Sequence, residues 1–206
     1  MRFAQSAPYC VRDRWCEICY RPCGRRKPSA PRKSCYWTTW NVRGLLQPGK
    51  LEILEDELSR HNRNICGISE THWKDNGHFH TGTNVIYFSR NADSSRNGVA
   101  FIVPKSTRDC MLGCEPVSDR LISIKLKASP LNFNIIQVYA PASTACSEEI
   151  ESFYSDLEAA ISKVPRRELL VIMGDFNSKT GLDSHLLSPR FHGGSFLLLW
   201  ETSTPR

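Results

Sequence analysis

The amino-acid sequence lacks a long apolar run, a secretory signal and internal repeats. A membrane-spanning helix needs about 20 consecutive apolar residues, and the apolar run at residues 196–200 is far shorter. We therefore predict no membrane partner. The N-terminus has no apolar h-region of the kind that directs secretion, so we expect a reducing compartment with free thiols.

Positive charge is confined to the start of the chain. Residues 1–35 hold nine basic and two acidic side chains, a net charge of +7, whereas residues 36–206 hold 18 basic and 19 acidic ones. We predict a disordered leader at residues 1–35, because dense charge combines with proline and serine and periodic apolar residues are missing. The basic run 25–33 is compatible with a phosphate-binding arm or nuclear address, with a tail of no selected role, or with a mitochondrial transit peptide. The expected localisation is nuclear or nucleocytoplasmic, with mitochondrial as the alternative.

Five of the nine cysteines lie in this leader. Cys16 and Cys19 have the spacing of a zinc knuckle, and Cys23 and Cys35 can complete a four-cysteine set. The second half of a zinc site is normally another close pair, which Cys23 and Cys35 are not. Reduced free thiols are therefore favoured over structural zinc.

Apolar periodicity predicts one mixed α/β domain over residues 36–181. Strands are predicted at residues 36–40, 65–69, 84–89, 98–103, 121–126, 132–139 and 169–173. Leu51, Leu54 and Leu58 predict an amphipathic helix. A second helix is predicted from Ser147, its expected cap, to Pro165. Polar turns between neighbouring strands suggest hairpins, so we expect a layered α/β sandwich with mixed, mostly antiparallel sheets.

Polar side chains follow several of the predicted strands. Asp175 follows the apolar run 169–173 and Gly174, where the glycine is expected to let the chain turn. Glu70 follows the strand at 65–69, and Asn41 and Tyr139 end two further β-type runs. Open α/β sheets bind their ligands at the carboxyl ends of strands. We therefore expect these side chains, together with Asn177, to converge on one rim.

Short motifs at these strand ends carry a family resemblance. In chain order they are Trp-Asn-Val-Arg-Gly (40–44), Ser-Glu-Thr-His-Trp (69–73), Arg-Asn-Gly-Val-Ala (96–100), Val-Tyr-Ala-Pro (138–141) and Gly-Asp-Phe-Asn (174–177). Together they resemble the endonuclease/exonuclease/phosphatase family, and within it the LINE-type retrotransposon endonucleases and the craniofacial development protein 2 group. The resemblance covers residues 36–181 and leaves residues 182–206 as an unmatched tail.

The resemblance implies a Mg²⁺-dependent phosphodiesterase that acts on DNA, with Mn²⁺ as another usable metal. The expected oligomeric state is a monomer. It implies Glu70 as the metal ligand, Asp175 as the residue that orients or deprotonates water, and Asn177 as a holder of that water or the phosphate. Asn41 is implied to support the metal site and Tyr139 to donate to a phosphate oxygen. Mg²⁺ takes oxygen ligands and keeps waters, so one or two carboxylates suffice. The structural alternatives are an Asx turn for Asp175 and Asn177 and a core-edge aromatic for Tyr139, but the whole set favours a site.

The expected DNA contacts are Arg43, His72, Trp73 and Arg96. Abasic-site members of the family carry an aspartate at the position of Arg43, so metal binding is expected to depend on Glu70 alone. His78 and His80 have strand-like spacing, but they lie in a predicted polar loop, which favours surface histidines over a zinc site.

The family pattern ends in a downstream Ser-Asp-His segment whose histidine contacts the scissile phosphate. Here Asp183-Ser184-His185 has that composition in a different order, and we interpret it as unrelated. The fold is therefore expected to be incomplete at the C-terminus, with an open apolar sheet edge and weak or no activity. The alternatives are a non-catalytic DNA- or protein-binding remnant, which a metal titration would distinguish, and a phospholipid or inositol phosphate phosphodiesterase, which groove charge would distinguish.

Overall fold

The computed structural model describes residues 15–22, 33–60, 65–89, 97–177 and 196–201 of the 206-residue chain. Its strands are β1 (Trp15–Pro22), β2 (Lys33–Asn41), β3 (Ile65–Ser69), β4 (Gly77–His80), β5 (Asn84–Ser89), β6 (Val99–Pro104), β7 (Met111–Ser118), β8 (Leu121–Leu126), β9 (Ala128–Ser129), β10 (Phe133–Tyr139), β11 (Leu169–Asp175) and β12 (Phe196–Glu201). Its helices are α1 (Lys50–Arg60), α2 (Lys105–Arg108) and α3 (Ser147–Ser162). None of the helices in these ranges is long and apolar enough to cross a membrane.

The strands form two sheets. The first has the order β4-β5-β6-β3-β2-β1-β9, and the second has the order β12-β11-β10-β8-β7. Most pairs are antiparallel, but β2 with β3, β10 with β11 and β11 with β12 are parallel. The predicted α/β sandwich with mixed, mostly antiparallel sheets is confirmed.

Strand alternation explains the layers, because successive side chains point to opposite faces of a sheet. In β10, Phe133 and Ile135 enter the core between the sheets, whereas Ile136 and Val138 face α3. The outer face of each sheet is covered by a helix, which packs against the sheet through residues at the i, i+4 spacing. These residues are Leu54 and Leu58 of α1 on the first sheet, and Phe153 and Leu157 of α3 on the second.

β1 lies inside the segment predicted to be disordered. It pairs antiparallel with β2, with Ile18 opposite Cys35, and β2 begins at Lys33 rather than at residue 36. The prediction of a disordered leader is therefore wrong for β1, because a run rich in Trp, Ile and Tyr favours strands despite the surrounding charge. The basic residues 25–32 and Cys23 lie outside the described residues.

β12 extends the second sheet beyond β11. It pairs in parallel with β11 from Leu170 opposite Phe196 to Asp175 opposite Glu201. Within the described residues β12 is the last strand of this sheet, so the sheet edge lies at β12, and the expectation of an open apolar edge stays a prediction. The apolar run at residues 196–200 is too short to span a membrane, but it is long enough to form a strand.

Three smaller expectations also differ from the structure. His78 and His80 lie on β4 rather than in a loop. Cys146, not Ser147, occupies the N-cap of α3, and its side chain makes no cap hydrogen bond. Gly174 lies within β11, which continues through Asp175, because a glycine at positive φ can remain in a strand as well as turn the chain.

Candidate active site

Four polar side chains meet at one end of the sandwich. Asn41, Tyr139 and Asp175 are the last residues of β2, β10 and β11, and Glu70 directly follows β3. β2 and β3 are parallel neighbours in the first sheet, as β10 and β11 are in the second. Parallel strands place their carboxyl ends at the same edge of a sheet. The two parallel pairs face each other across the core, so all four carboxyl ends lie close together.

The amide of Asn41 connects two carboxylates that belong to different sheets. Asn41 Nδ2 donates to Glu70 Oε1 at 2.6 Å and to Asp175 Oδ2 at 3.0 Å. The phenol of Tyr139 donates to the same Glu70 oxygen at 2.9 Å. No residue in the described part of the chain donates to Glu70 Oε2, so this oxygen remains available to a cation or a water.

Asp175 is 1% exposed, and both of its oxygens accept hydrogen bonds. Oδ2 is bonded to Asn41 at 3.0 Å, and Oδ1 accepts the backbone N–H of Asn177 at 2.9 Å. The second contact is an Asx turn, the structural alternative to a site residue. The Asx turn is present, and it fixes the carboxylate while the other oxygen accepts from Asn41.

Asn177 itself is anchored by its side chain, with Nδ2 donating to the backbone oxygen of Ala140 at 2.7 Å. Its side chain also hydrogen-bonds to Tyr139, which lowers the pKa of that phenol. The Asn177 amide therefore connects the Ala140 backbone to Tyr139 beside the Asp175 carboxylate.

The loops at this rim carry backbone strain. Arg43, Glu70, His72 and Asn177 adopt φ angles of 50°, 61°, 60° and 47°. A non-glycine residue in this region costs on the order of 1–3 kcal/mol, and such residues cluster at functional sites. Backbone bonds hold the conformation, including Gly44 N–H to Glu70 O at 2.7 Å.

Tyr139 is a neutral donor at physiological pH. Burial, followed by the nearby charge of Glu70 and the hydrogen bond to it, raises the pKa of the phenol to about 12. The proton that Tyr139 donates to Glu70 is therefore retained well above neutral pH.

The expected DNA contacts occupy different environments. Arg43 is exposed beside Asn41, whose Oδ1 accepts the Arg43 backbone N–H at 3.1 Å. The ring of His72 packs over Gly44, where an added Cβ would lie 2.9 Å from its Nδ1. Trp73 packs edge-on against Phe79 and Phe88, with ring centroids 5.4 Å and 5.5 Å away, so much of its ring belongs to the outer core. Arg96 lies outside the described residues, as do Asp183, Ser184 and His185.

Directly below the rim, a buried polar cluster joins the two sheets, and the sequence analysis missed it. Gln137 of β10 is fully buried, and its Nε2 donates to Thr39 Oγ1 and to Ser69 Oγ, each at 3.0 Å. Gly67 makes room for this side chain, because a Cβ there would lie 1.9 Å from Gln137 Oε1. The only sequence signals are a glutamine and a glycine within otherwise apolar strands.

We expect Gln137→Leu to destabilise the protein by about 1–3 kcal/mol, because it leaves buried hydroxyls without their partner. The free energy of unfolding in urea would measure the loss. Gln47→Leu is the matched control, since Gln47 is exposed in the loop before α1. Equal stability of the two variants would contradict a contribution of the cluster to folding.

Within the ranges that the structure describes, no group of three or more His, Cys, Asp or Glu side chains could hold a metal ion. The described side chains of the rim do not by themselves form a closed metal cage. The donors of the rim are two carboxylates and an amide, and a hard cation that keeps several waters can be bound by one or two carboxylates. This donor set fits Mg²⁺ better than Zn²⁺, for which nitrogen and sulfur ligands are usual.

Comparison with known proteins agrees with this architecture. The profile of the Endonuclease/Exonuclease/phosphatase family matches residues 38–205. Craniofacial development protein 2 of Bos taurus is 41% identical over 143 residues, which cover 69% of this chain and 24% of that protein. Its counterpart from Tragulus javanicus is 39% identical over 143 residues, covering 69% and 25%. The chain thus spans about a quarter of the length of these curated relatives.

Two solved structures have a similar fold. The 3′ phosphatase NExo from Neisseria, bound to a product DNA hairpin, has a TM-score of 0.52 and 19% identity, covering 68% of this chain and 57% of NExo. The endonuclease domain of TRAS1, a telomere-specific non-LTR retrotransposon, has a TM-score of 0.50 and 16% identity, covering 69% and 58%. The resemblance predicted from the motifs is confirmed, and the chain belongs to the Endonuclease/Exonuclease/phosphatase family.

Proposed function

We propose that this member of the Endonuclease/Exonuclease/phosphatase family is a Mg²⁺-dependent phosphodiesterase that cleaves DNA. Family membership supports a phosphodiesterase or nuclease kind of function. The observation that carries the finer proposal is the Asn41 amide bonded to both Glu70 and Asp175, at 2.6 Å and 3.0 Å. Two carboxylates held together at one rim suit a reaction that needs a cation and an oriented water.

Glu70 is the residue that would hold Mg²⁺, through Oε2, while Asn41 and Tyr139 fix its other oxygen. When bound, the cation would supply Lewis-acid stabilisation of the negative charge on the phosphate. Mn²⁺ also prefers oxygen ligands, so it is a plausible substitute for Mg²⁺ in an assay.

Asp175 is the residue that we propose orients or deprotonates the attacking water. Its carboxylate is buried and held at both oxygens, so it would act without reorganising. Tyr139 and Asn177 are the proposed donors to phosphate oxygens. Without substrate the phenol proton is directed to Glu70, so this role requires the phenol to turn from Glu70 to the phosphate. Each of these side chains lies at the same rim as Glu70.

DNA is the proposed substrate because the chain carries positive charge at the rim and in its N-terminal segment. Arg43 is exposed at the rim, and the chain carries a further net charge of +7 in residues 1–35. Such charges bind the phosphate backbone without regard to sequence. The DNA hairpin product on NExo and the retrotransposon origin of TRAS1 support the same choice. A monomeric protein in the nucleus or nucleocytoplasm is proposed with it.

A plasmid assay tests the proposal. We expect the chain to convert supercoiled plasmid to the nicked form slowly with Mg²⁺ or Mn²⁺, in line with the weak activity expected from the sequence, and to lose this activity in EDTA. Phospholipid and inositol phosphate should remain uncleaved under the same conditions. Mg²⁺ binding without cleavage of any of these substrates would contradict the proposal and favour a non-catalytic binding protein.

A further inference from the structure

We infer that Arg120 is a positioning residue for Tyr139, and that Glu149 of α3 holds Arg120 in place. The inference rests on the proposed function, since it assigns a role to a residue behind the rim. None of the family motifs includes Arg120, which lies in the turn between β7 and β8.

Arg120 contacts Tyr139 at three points. Its guanidinium carbon lies 5.1 Å from the centroid of the Tyr139 ring. Its Nη1 donates to the Tyr139 backbone oxygen at 3.2 Å, and its own backbone oxygen accepts the Tyr139 N–H at 2.9 Å. The ring and the backbone of Tyr139 are therefore fixed by one neighbour.

Glu149 binds the second terminal nitrogen of the Arg120 guanidinium. Arg120 Nη2 forms an ion pair with Glu149 Oε1, and the Arg120 side chain is only 13% exposed. Glu149 lies in the first turn of α3, where the helix dipole favours a negative charge. The start of α3 is thus connected to the rim through Arg120.

This arrangement uses properties that lysine does not share. A guanidinium is planar, donates in two fixed directions and can lie over an aromatic face at the same time, whereas an ammonium is a point charge. Arg120 therefore fixes the orientation of the phenol through its ring contact and its bond to the Tyr139 backbone.

The test is a double-mutant cycle on metal-dependent cleavage. We expect Arg120→Lys to lower kcat by about 10- to 100-fold, because small displacements of a reacting group are costly. KM for DNA and the Mg²⁺ affinity should change less than about twofold. In a Tyr139→Phe background, which lacks the hydroxyl, Arg120→Lys should have little further effect. Independent, multiplying losses in kcat would overturn the inference.

A spectroscopic measurement separates this inference from the proposed function. In protein labelled with ¹³C at the tyrosine ring, the Tyr139 signal is identified by its absence in Tyr139→Phe. We expect Arg120→Lys and Glu149→Gln to shift that signal. Arg166→Lys should not, since Arg166 is exposed in the turn before β11. An unshifted Tyr139 signal in both variants would overturn the positioning role even where DNA cleavage is absent.

Discussion

Replacing Glu70 with glutamine is expected to reduce metal-dependent DNA cleavage by about 10²–10³-fold, the size of effect typical for loss of one transition-state stabilising group. The variant should fold normally. Cleavage is expected to fall without a loss of stability, because the hydrogen bonds to Glu70 end on only one of its two carboxylate oxygens.

Both donors to Glu70 use the same oxygen. Asn41 and Tyr139 bond to Oε1 at 2.6 Å and 2.9 Å, and a glutamine oxygen can accept both bonds in the same place. The amide nitrogen would then replace Oε2, the oxygen proposed to hold the cation. An amide nitrogen is a donor and carries no charge, so the substitution removes the proposed metal ligand and retains the surrounding contacts.

Plasmid nicking rates, Mg²⁺ titration and urea unfolding together check this prediction. The matched control is Glu52→Gln, which removes the same charge from an exposed position in the first turn of α1. Cleavage and Mg²⁺ affinity should fall in Glu70→Gln alone, with the free energies of unfolding of both variants close to that of the wild type. Undiminished cleavage by Glu70→Gln would rule out Glu70 as the metal ligand.

Several strands could be predicted from the sequence because they are short apolar runs bounded by polar turns. The runs at 65–69, 84–89 and 121–126 coincide with β3, β5 and β8. β7 was missed because its pairing with β8 shifts register between Met111 and Gly113 and again between Pro116 and Ser118. Such bulges remove the period of two on which strand prediction depends.

Contacts between the sheets were less predictable than the strands. Nothing local distinguishes Gln137 from a solvent-facing strand residue, since its partners Thr39 and Ser69 lie 98 and 68 positions away. In the sequence Arg120 is an ordinary turn residue. Its contacts with Tyr139 and Glu149 are found only in the folded structure. Motif order located the rim, but only the packing of one sheet on the other revealed which residues support it.

Gly174→Ala is expected to cause the largest loss of stability, at least about 3 kcal/mol. Gly174 has a φ of +145°, which side-chain-bearing residues rarely adopt, and an added Cβ would lie 1.9 Å from the backbone oxygen of Val138. That atom belongs to the paired strand β10, where Val138 is opposite Gly174. Relief of the clash would require the two strands to separate, since neither atom is the end of a flexible side chain.

The consequence should extend to the site, because Asp175 is the next residue and Tyr139 follows Val138. The free energy of unfolding in urea is the primary measurement, and the nicking rate of any folded fraction is the second. Gly82→Ala is the matched control, since nothing lies within 4 Å of a Cβ at Gly82, and it should leave both quantities nearly unchanged. A total stability of 5–15 kcal/mol is usual for a domain, so the loss at Gly174 is a large fraction of the whole. If Gly174→Ala instead unfolds within about 0.5 kcal/mol of the wild type, then β10 and β11 do not approach as closely as described, and the position of Asp175 beside Asn41 must differ as well.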